Sequence, residues 1–140
     1  MNGTGSRAAL ALLAALAFFP AGRAVADGIV AHHGKVLETA KPDRPSQGFL
    51  EIDNSGNQPD MLVGAICPIT ATTLLVGASG AALPQIPVPP GGHVLLRAGG
   101  PHLLLQSPHF SIDSGSAVPC SLRFRRAGTI QIYLYAIAAP

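Results

Sequence analysis

Two glycine pairs in the stretch from Pro87 to Gln106 (PVPPGGHVLLRAGGPHLLLQ) limit the possible fold of this chain more than any other feature. Gly91-Gly92 precedes an apolar run that begins at His93, and Gly99-Gly100 precedes another that begins at His102. Glycine adopts positive φ at little steric cost, and tight turns between antiparallel strands need such residues. The stretch therefore predicts two successive hairpin turns, each followed by a strand that starts near a histidine.

The rest of the chain continues this pattern of short strands separated by turns. The clearest alternation of apolar and polar residues runs from Ile130 to Ala136, and no segment after Ala26 shows sustained 3.6-residue periodicity. Further strands are predicted within residues 29–39, 48–53, 62–67, 70–76 and 118–124, with a proline-containing loop over 41–47. These short strands and glycine turns predict an all-β protein, a single-domain antiparallel β-sandwich.

The first 26 residues have the pattern of a secretory signal peptide. Arg7 supplies the positive region, residues 8–19 (AALALLAALAFF) the apolar core, and Ala24-Val25-Ala26 the small-residue cleavage site. The apolar run is shorter than the roughly 20 residues that span a bilayer, and a retained N-terminal anchor is the alternative. We expect a signal peptide over 1–26 and one domain over 27–140, periplasmic or secreted, with no membrane span after cleavage.

Charge and motifs argue against two classes of function. Cleavage of the signal peptide removes Arg7 and Arg23 and leaves seven basic and seven acidic residues. This near-zero net charge does not indicate binding to nucleic acid. The acidic residues are scattered, and neither a Gly-x-Ser-x-Gly nucleophile motif nor a phosphate-binding glycine loop occurs. We therefore expect neither an enzyme nor a nucleic-acid-binding protein.

Five pieces of the chain, taken in order, resemble the periplasmic copper chaperones called PCu(A)C. They are LEIDNSG (50–56), PDMLVGA (59–65), IPVPPGG (86–92), GGPHLLL (99–105) and the segment 118–128. The resemblance covers nearly all of the predicted domain. It implies a cupredoxin-like β-sandwich that carries Cu(I) and passes it to a copper-accepting periplasmic or membrane protein, such as a component of cytochrome oxidase assembly. The copper site of that family consists of histidine and methionine, and thioethers suit Cu(I).

Most of that site is replaced in this chain. His102 stands at the position of the second histidine, but Leu104 replaces the methionine two residues further on. Val76 stands opposite the first histidine of the family and Ala78 opposite its companion methionine. The only methionine after the first residue is Met61, in a part of the motif that the family uses for structure. One ligand of the inherited set therefore remains.

Other histidines are candidates for completing a metal site with His102. His93 can approach it if the two strands after the glycine turns are neighbours in register, and His32 and His33 near the mature N-terminus are further candidates. Adjacent histidines on a regular strand point to opposite faces, so only one of the pair is expected to serve a given metal. A site made of histidine alone would favour Cu(II) or Zn(II) over Cu(I). The alternative for each histidine is a solvated surface position.

Cys67 and Cys120 are the two cysteines of the chain. In an oxidising compartment a pair of cysteines usually forms one disulfide, which is the state expected here. Two buried free thiols, or a dithiol copper site, are the alternatives.

Two hypotheses of function follow. In the first, the exported protein handles copper, as Cu(I) or Cu(II), through His102 together with His93, His32 or His33. In the second, it is a metal-free β-sandwich that serves as a binding or accessory module.

Overall fold

The structure, a computed structural model of the protein, describes Val25, Ala26 and residues 28–140. The predicted signal peptide lies outside the described residues, apart from Val25 and Ala26, which form a two-residue strand. Over the described part of the chain, strands and turns account for all regular structure. No helix in these residues is long and apolar enough to cross a membrane.

Ten strands form one continuous sheet. They are β1 (Val25–Ala26), β2 (Ile29–Leu37), β3 (Ser46–Asn54), β4 (Asp60–Ile66), β5 (Thr70–Val76), β6 (Ile86–Val88), β7 (His93–Leu96), β8 (His102–Pro108), β9 (Ala117–Phe124) and β10 (Gly128–Ile137). The strand order is β5-β8-β3-β2-β10-β9-β4-β6, with β1 paired to β2 and β7 paired to β3. All these pairs are antiparallel except β2 with β10, which run parallel.

The sheet encloses one apolar core, which explains the alternation in the sequence. Along β10 the side chains of Ile130, Ile132 and Leu134 are buried, whereas Tyr133 and Tyr135 between and beside them are exposed. Each fully buried large aliphatic side chain contributes about 1.5–3 kcal/mol to stability. The prediction of an all-β, single-domain sandwich is confirmed.

The two glycine turns exist, but neither connects paired strands, so the prediction of two hairpins is wrong. Gly91 and Gly99 do adopt positive φ, 68° and 79°. However, β6 pairs with β4, and β7 and β8 both pair with β3. β7 lies along residues 50–53 of β3, and β8 lies along residues 46–48. The second turn therefore carries the chain along one side of β3. A glycine pair permits a sharp turn, but the burial of distant strands decides which strands become neighbours.

The loop predicted over 41–47 ends two residues earlier than expected, because β3 begins at Ser46. The Ser46 hydroxyl donates a hydrogen bond to the Leu37 carbonyl oxygen at 2.5 Å, which ties the start of β3 to the end of β2.

Cys67 and Cys120 form the predicted disulfide, with the two sulfurs 2.10 Å apart. Both residues are buried in the core. The bridge joins the segment that follows β4 to β9, and it leaves neither sulfur free to bind a metal. The alternatives of two free thiols and of a dithiol copper site are therefore wrong.

Candidate metal centre

The two adjacent histidines of β2 lie at a bulge. The register between β2 and β3 shifts directly after His32, and His33 adopts a φ of 54°, in the left-handed region that non-glycine residues rarely enter. Gly34 follows, where an added Cβ would lie 2.8 Å from the side chain of Leu134 and even closer to the carbonyl oxygen of Tyr133. Only glycine allows β2 to approach β10 this closely. The bulge redirects the side chain of His33.

His32 and His33 consequently lie together on one face. Their Nδ1 atoms are 3.0 Å apart and their ring centroids 4.5 Å apart. The expectation that the two side chains point to opposite faces is wrong, because it assumed a regular strand.

Two carboxylates of β3 and one histidine of β7 complete the group. His32 Nε2 donates a hydrogen bond to Asp53 Oδ2 at 2.7 Å, and His33 Nδ1 lies 2.8 Å from Glu51 Oε2. His93 contacts both carboxylates, through Nδ1 to Asp53 and through Nε2 to Glu51 Oε1 at 3.2 Å. We call these five residues the histidine–carboxylate cluster. It is built on three neighbouring strands, β2, β3 and β7.

His93 is held between the two carboxylates, with one ring nitrogen facing each. An imidazole can donate from both nitrogens only when it is protonated. The hydrogen bond to Asp53 raises the pKa of His93, and the charge of Glu51 adds to this effect. The same hydrogen bond lowers the pKa of Asp53. A metal ion therefore competes with a proton for His93.

The cluster offers two sets of three ligands. The first, the His93 set, is His32, Asp53 and His93, and the second, the His33 set, is His32, His33 and Glu51. Within each set the ligand atoms lie within 4.8 Å of one another. Both sets consist of imidazole and carboxylate groups, which suit Cu(II) and Zn(II) better than Cu(I).

His102 lies apart from this cluster. Its side chain is buried, with Nδ1 donating a hydrogen bond to the Gly100 carbonyl oxygen at 2.8 Å and the ring packed against Phe49. Phe49 precedes Asp53 by four residues on β3, which corresponds to about 13 Å along a strand. The expected approach of His93 to His102 is wrong, because β7 and β8 pair with different parts of β3.

Three positions that correspond to inherited copper ligands, Val76, His102 and Leu104, lie on the paired strands β5 and β8. His102 is the direct ladder partner of Val76, and Leu104 is on the same strand two residues further on. In this region His102 is accompanied by apolar side chains, and it belongs to no group of three or more histidine, cysteine or acidic ligands among the described residues. The structure thus brings together three of the four predicted histidines and separates the fourth.

Sequence reasoning missed Glu51 and Asp53. Their spacing contained a signal, since residues two apart on a strand share a face. It could be used only with the knowledge that β2 and β7 flank β3.

The β-sandwich of this chain has the fold of PCuAC domains. The copper-bound PCuAC domain of PmoF2 superimposes with a TM-score of 0.75 at 24% identity, covering 85% of this chain and 99% of that domain. The apo PCuAC domain of PmoF1 gives 0.76 at 21% identity, covering 84% and 100%. The Cu(I) form of DR1885 from Deinococcus radiodurans gives 0.61 at 21% identity, covering 74% and 76%. The cupredoxin-like fold expected from the resemblance is confirmed.

The chain belongs to the LpqE-like family, whose sequence profile matches residues 29–135. No curated protein matches it. That family is described as one of lipoproteins, and disulfides persist in oxidising compartments, so the protein is extracytoplasmic.

Proposed function

We propose that this protein binds and carries copper outside the cytoplasm, with the histidine–carboxylate cluster as its metal site. The convergence of His32, His33 and His93 on two carboxylates carries the proposal. The fold supports it, since PCuAC domains of the same fold include copper-bound forms. The chain is then exported by the signal peptide over 1–26 to the periplasm or the medium. Its recipient is a copper-accepting periplasmic or membrane protein, such as one that assembles cytochrome oxidase.

The cluster is suited to oxidised copper. Cu(I) selects soft sulfur ligands, whereas imidazole and carboxylate groups bind Cu(II), and in the Irving–Williams order Cu(II) exceeds Zn(II). The positions of the inherited thioethers hold Ala78 and Leu104. His102 is left out of the proposed site because its ring is buried and bound to the Gly100 carbonyl group.

The proposal is tested by titrating Cu(II) into the purified protein and into two variants by calorimetry. His93→Ala should weaken binding by roughly tenfold or more, the loss typical of a disrupted metal site. His109→Ala is the matched control, because His109 is exposed and belongs to neither ligand set. Absence of Cu(II) binding in the wild type, or equal affinity in the two variants, would refute the proposal.

A second candidate function is a metal-free binding or accessory module. The observation in its favour is that Val76, the ladder partner of His102, and Leu104 are apolar at positions where inherited ligands would be. A strain that lacks the protein should then keep its copper tolerance and its oxidase assembly, whereas a copper carrier predicts that one of them falls.

A further inference from the structure

His32 is the one residue that belongs to both ligand sets of the cluster. Its Nε2 faces Asp53 at 2.7 Å, and its Nδ1 faces His33 at 3.0 Å. The two nitrogens of an imidazole point away from each other, and either can bind a metal. The two sets therefore lie on opposite sides of one ring.

The spacing of the donor atoms fits an ion on each side of that ring. Ligands that bind one ion at about 2.0–2.1 Å with tetrahedral or square geometry lie roughly 3 Å from each other. The pairs His32–Asp53 and His32–His33 have this separation, at 2.7 and 3.0 Å. Each pair has a third ligand within reach, His93 on one side and Glu51 on the other.

We infer that the cluster has two adjacent positions for divalent metal ions, bridged by the imidazole of His32. This inference rests on the proposed function and extends it. The first ion binds the His93 set through Nε2 of His32, and the proton that Nε2 donates to Asp53 in the metal-free protein moves to Nδ1. The second binds the His33 set through Nδ1 and displaces the remaining ring proton of His32 to solvent. Neither ion changes its oxidation state.

Both positions are open to solvent. The side chain of His33 is 66% exposed, compared with 30% for His32 and 50% for His93. His33 also borders two open grooves, of 480 Å³ towards Leu95 and of 510 Å³ towards Tyr133. The carboxylates differ in the opposite direction, with Asp53 44% exposed and Glu51 27%, so a chelator or a recipient can reach either ion.

The test is a Cu(II) titration of the full chain, followed by electron paramagnetic resonance. Two ions bridged by one imidazolate couple magnetically, so the signal should rise to one equivalent of Cu(II) and fall again towards two. His33→Gly should bind one equivalent and lose the fall in signal. Glycine favours the positive φ found at this position, so the bulge is expected to persist, which circular dichroism can check. His109→Ala should behave as the wild type.

The outcomes separate the two proposals. A wild type that binds one Cu(II) per chain with an uncoupled signal, or a His33→Gly variant that retains two coupled ions, would overturn the two-position inference and leave the proposed function intact. A wild type that binds no Cu(II) would overturn both.

Discussion

Replacing Gly34 by alanine should destabilise the protein, whereas the same replacement at Gly64 should not. At Gly34 the new Cβ would lie 2.8 Å from Leu134 Cδ2 and closer still to the backbone carbonyl of Tyr133, which cannot move without distorting β10. Overpacking of this kind costs about 1–3 kcal/mol. At Gly64 the nearest atom is a nitrogen of the Arg123 side chain at 3.6 Å, an ordinary contact. At Gly64, alanine should instead raise the free energy of unfolding by roughly 0.4–1 kcal/mol, because it leaves the unfolded chain fewer conformations than glycine does.

The two variants should therefore differ in free energy of unfolding by about 1.5–4 kcal/mol. Urea unfolding followed by far-ultraviolet circular dichroism measures this difference, since the chain contains no tryptophan to serve as a fluorescent probe. Gly34→Ala should also weaken Cu(II) binding, because β2 can no longer bring His32 and His33 to one face. Equal stability of the two variants would refute the steric argument. A destabilised Gly34→Ala with unchanged Cu(II) affinity would show that the site does not need the bulge.

Two further predictions concern the disulfide and the charge of His93. Replacing Cys67 and Cys120 together by alanine should lower the free energy of unfolding by about 4 kcal/mol, because the disulfide closes a loop of 53 positions and so restricts the unfolded chain. A loss below about 1 kcal/mol in urea unfolding would contradict this. In metal-free protein, NMR titration should give His93 a pKa above its ordinary 6.5, and Asp53→Asn should return it towards that value. Because the folded-state pKa of His93 is raised and that of Asp53 is lowered, the stabilisation from this pair is complete between pH 3.8 and 6.5. This stabilisation is lost as the pH rises through the folded-state pKa of His93 or falls through the folded-state pKa of Asp53. If Asp53→Asn leaves the titration of His93 unchanged, the two residues are not paired.

Local sequence patterns were enough to predict eight of the ten strands, all except β1 and β6, but not how the strands pair. The strand over 130–136 was evident because apolar residues at every second position indicate one buried face. The parallel contact of β10 with β2 joins segments about a hundred residues apart, and no local pattern encodes it. The same limit explains the mistaken hairpins. Gly91 and Gly99 do take the positive φ that the sequence predicted, but the strands after them are placed by the burial of Leu96 and Leu103 against the core.

The candidate metal centre shows the same division between residue types and their arrangement. His32, His33 and His93 were recognisable as candidate ligands from their chemistry, yet their meeting depends on a bulge at which Gly34 packs against β10. The resemblance to copper chaperones directs attention to β5 and β8, where His102 remains, whereas the ligands that converge lie on β2, β3 and β7. Copper binding that is unchanged in His102→Ala but weakened in His93→Ala would mean that metal binding in this chain has moved across the sheet from the position its ancestry indicates. The reverse result would return the site to β8 and leave the histidine–carboxylate cluster as a solvent-screened surface network that contributes little to stability.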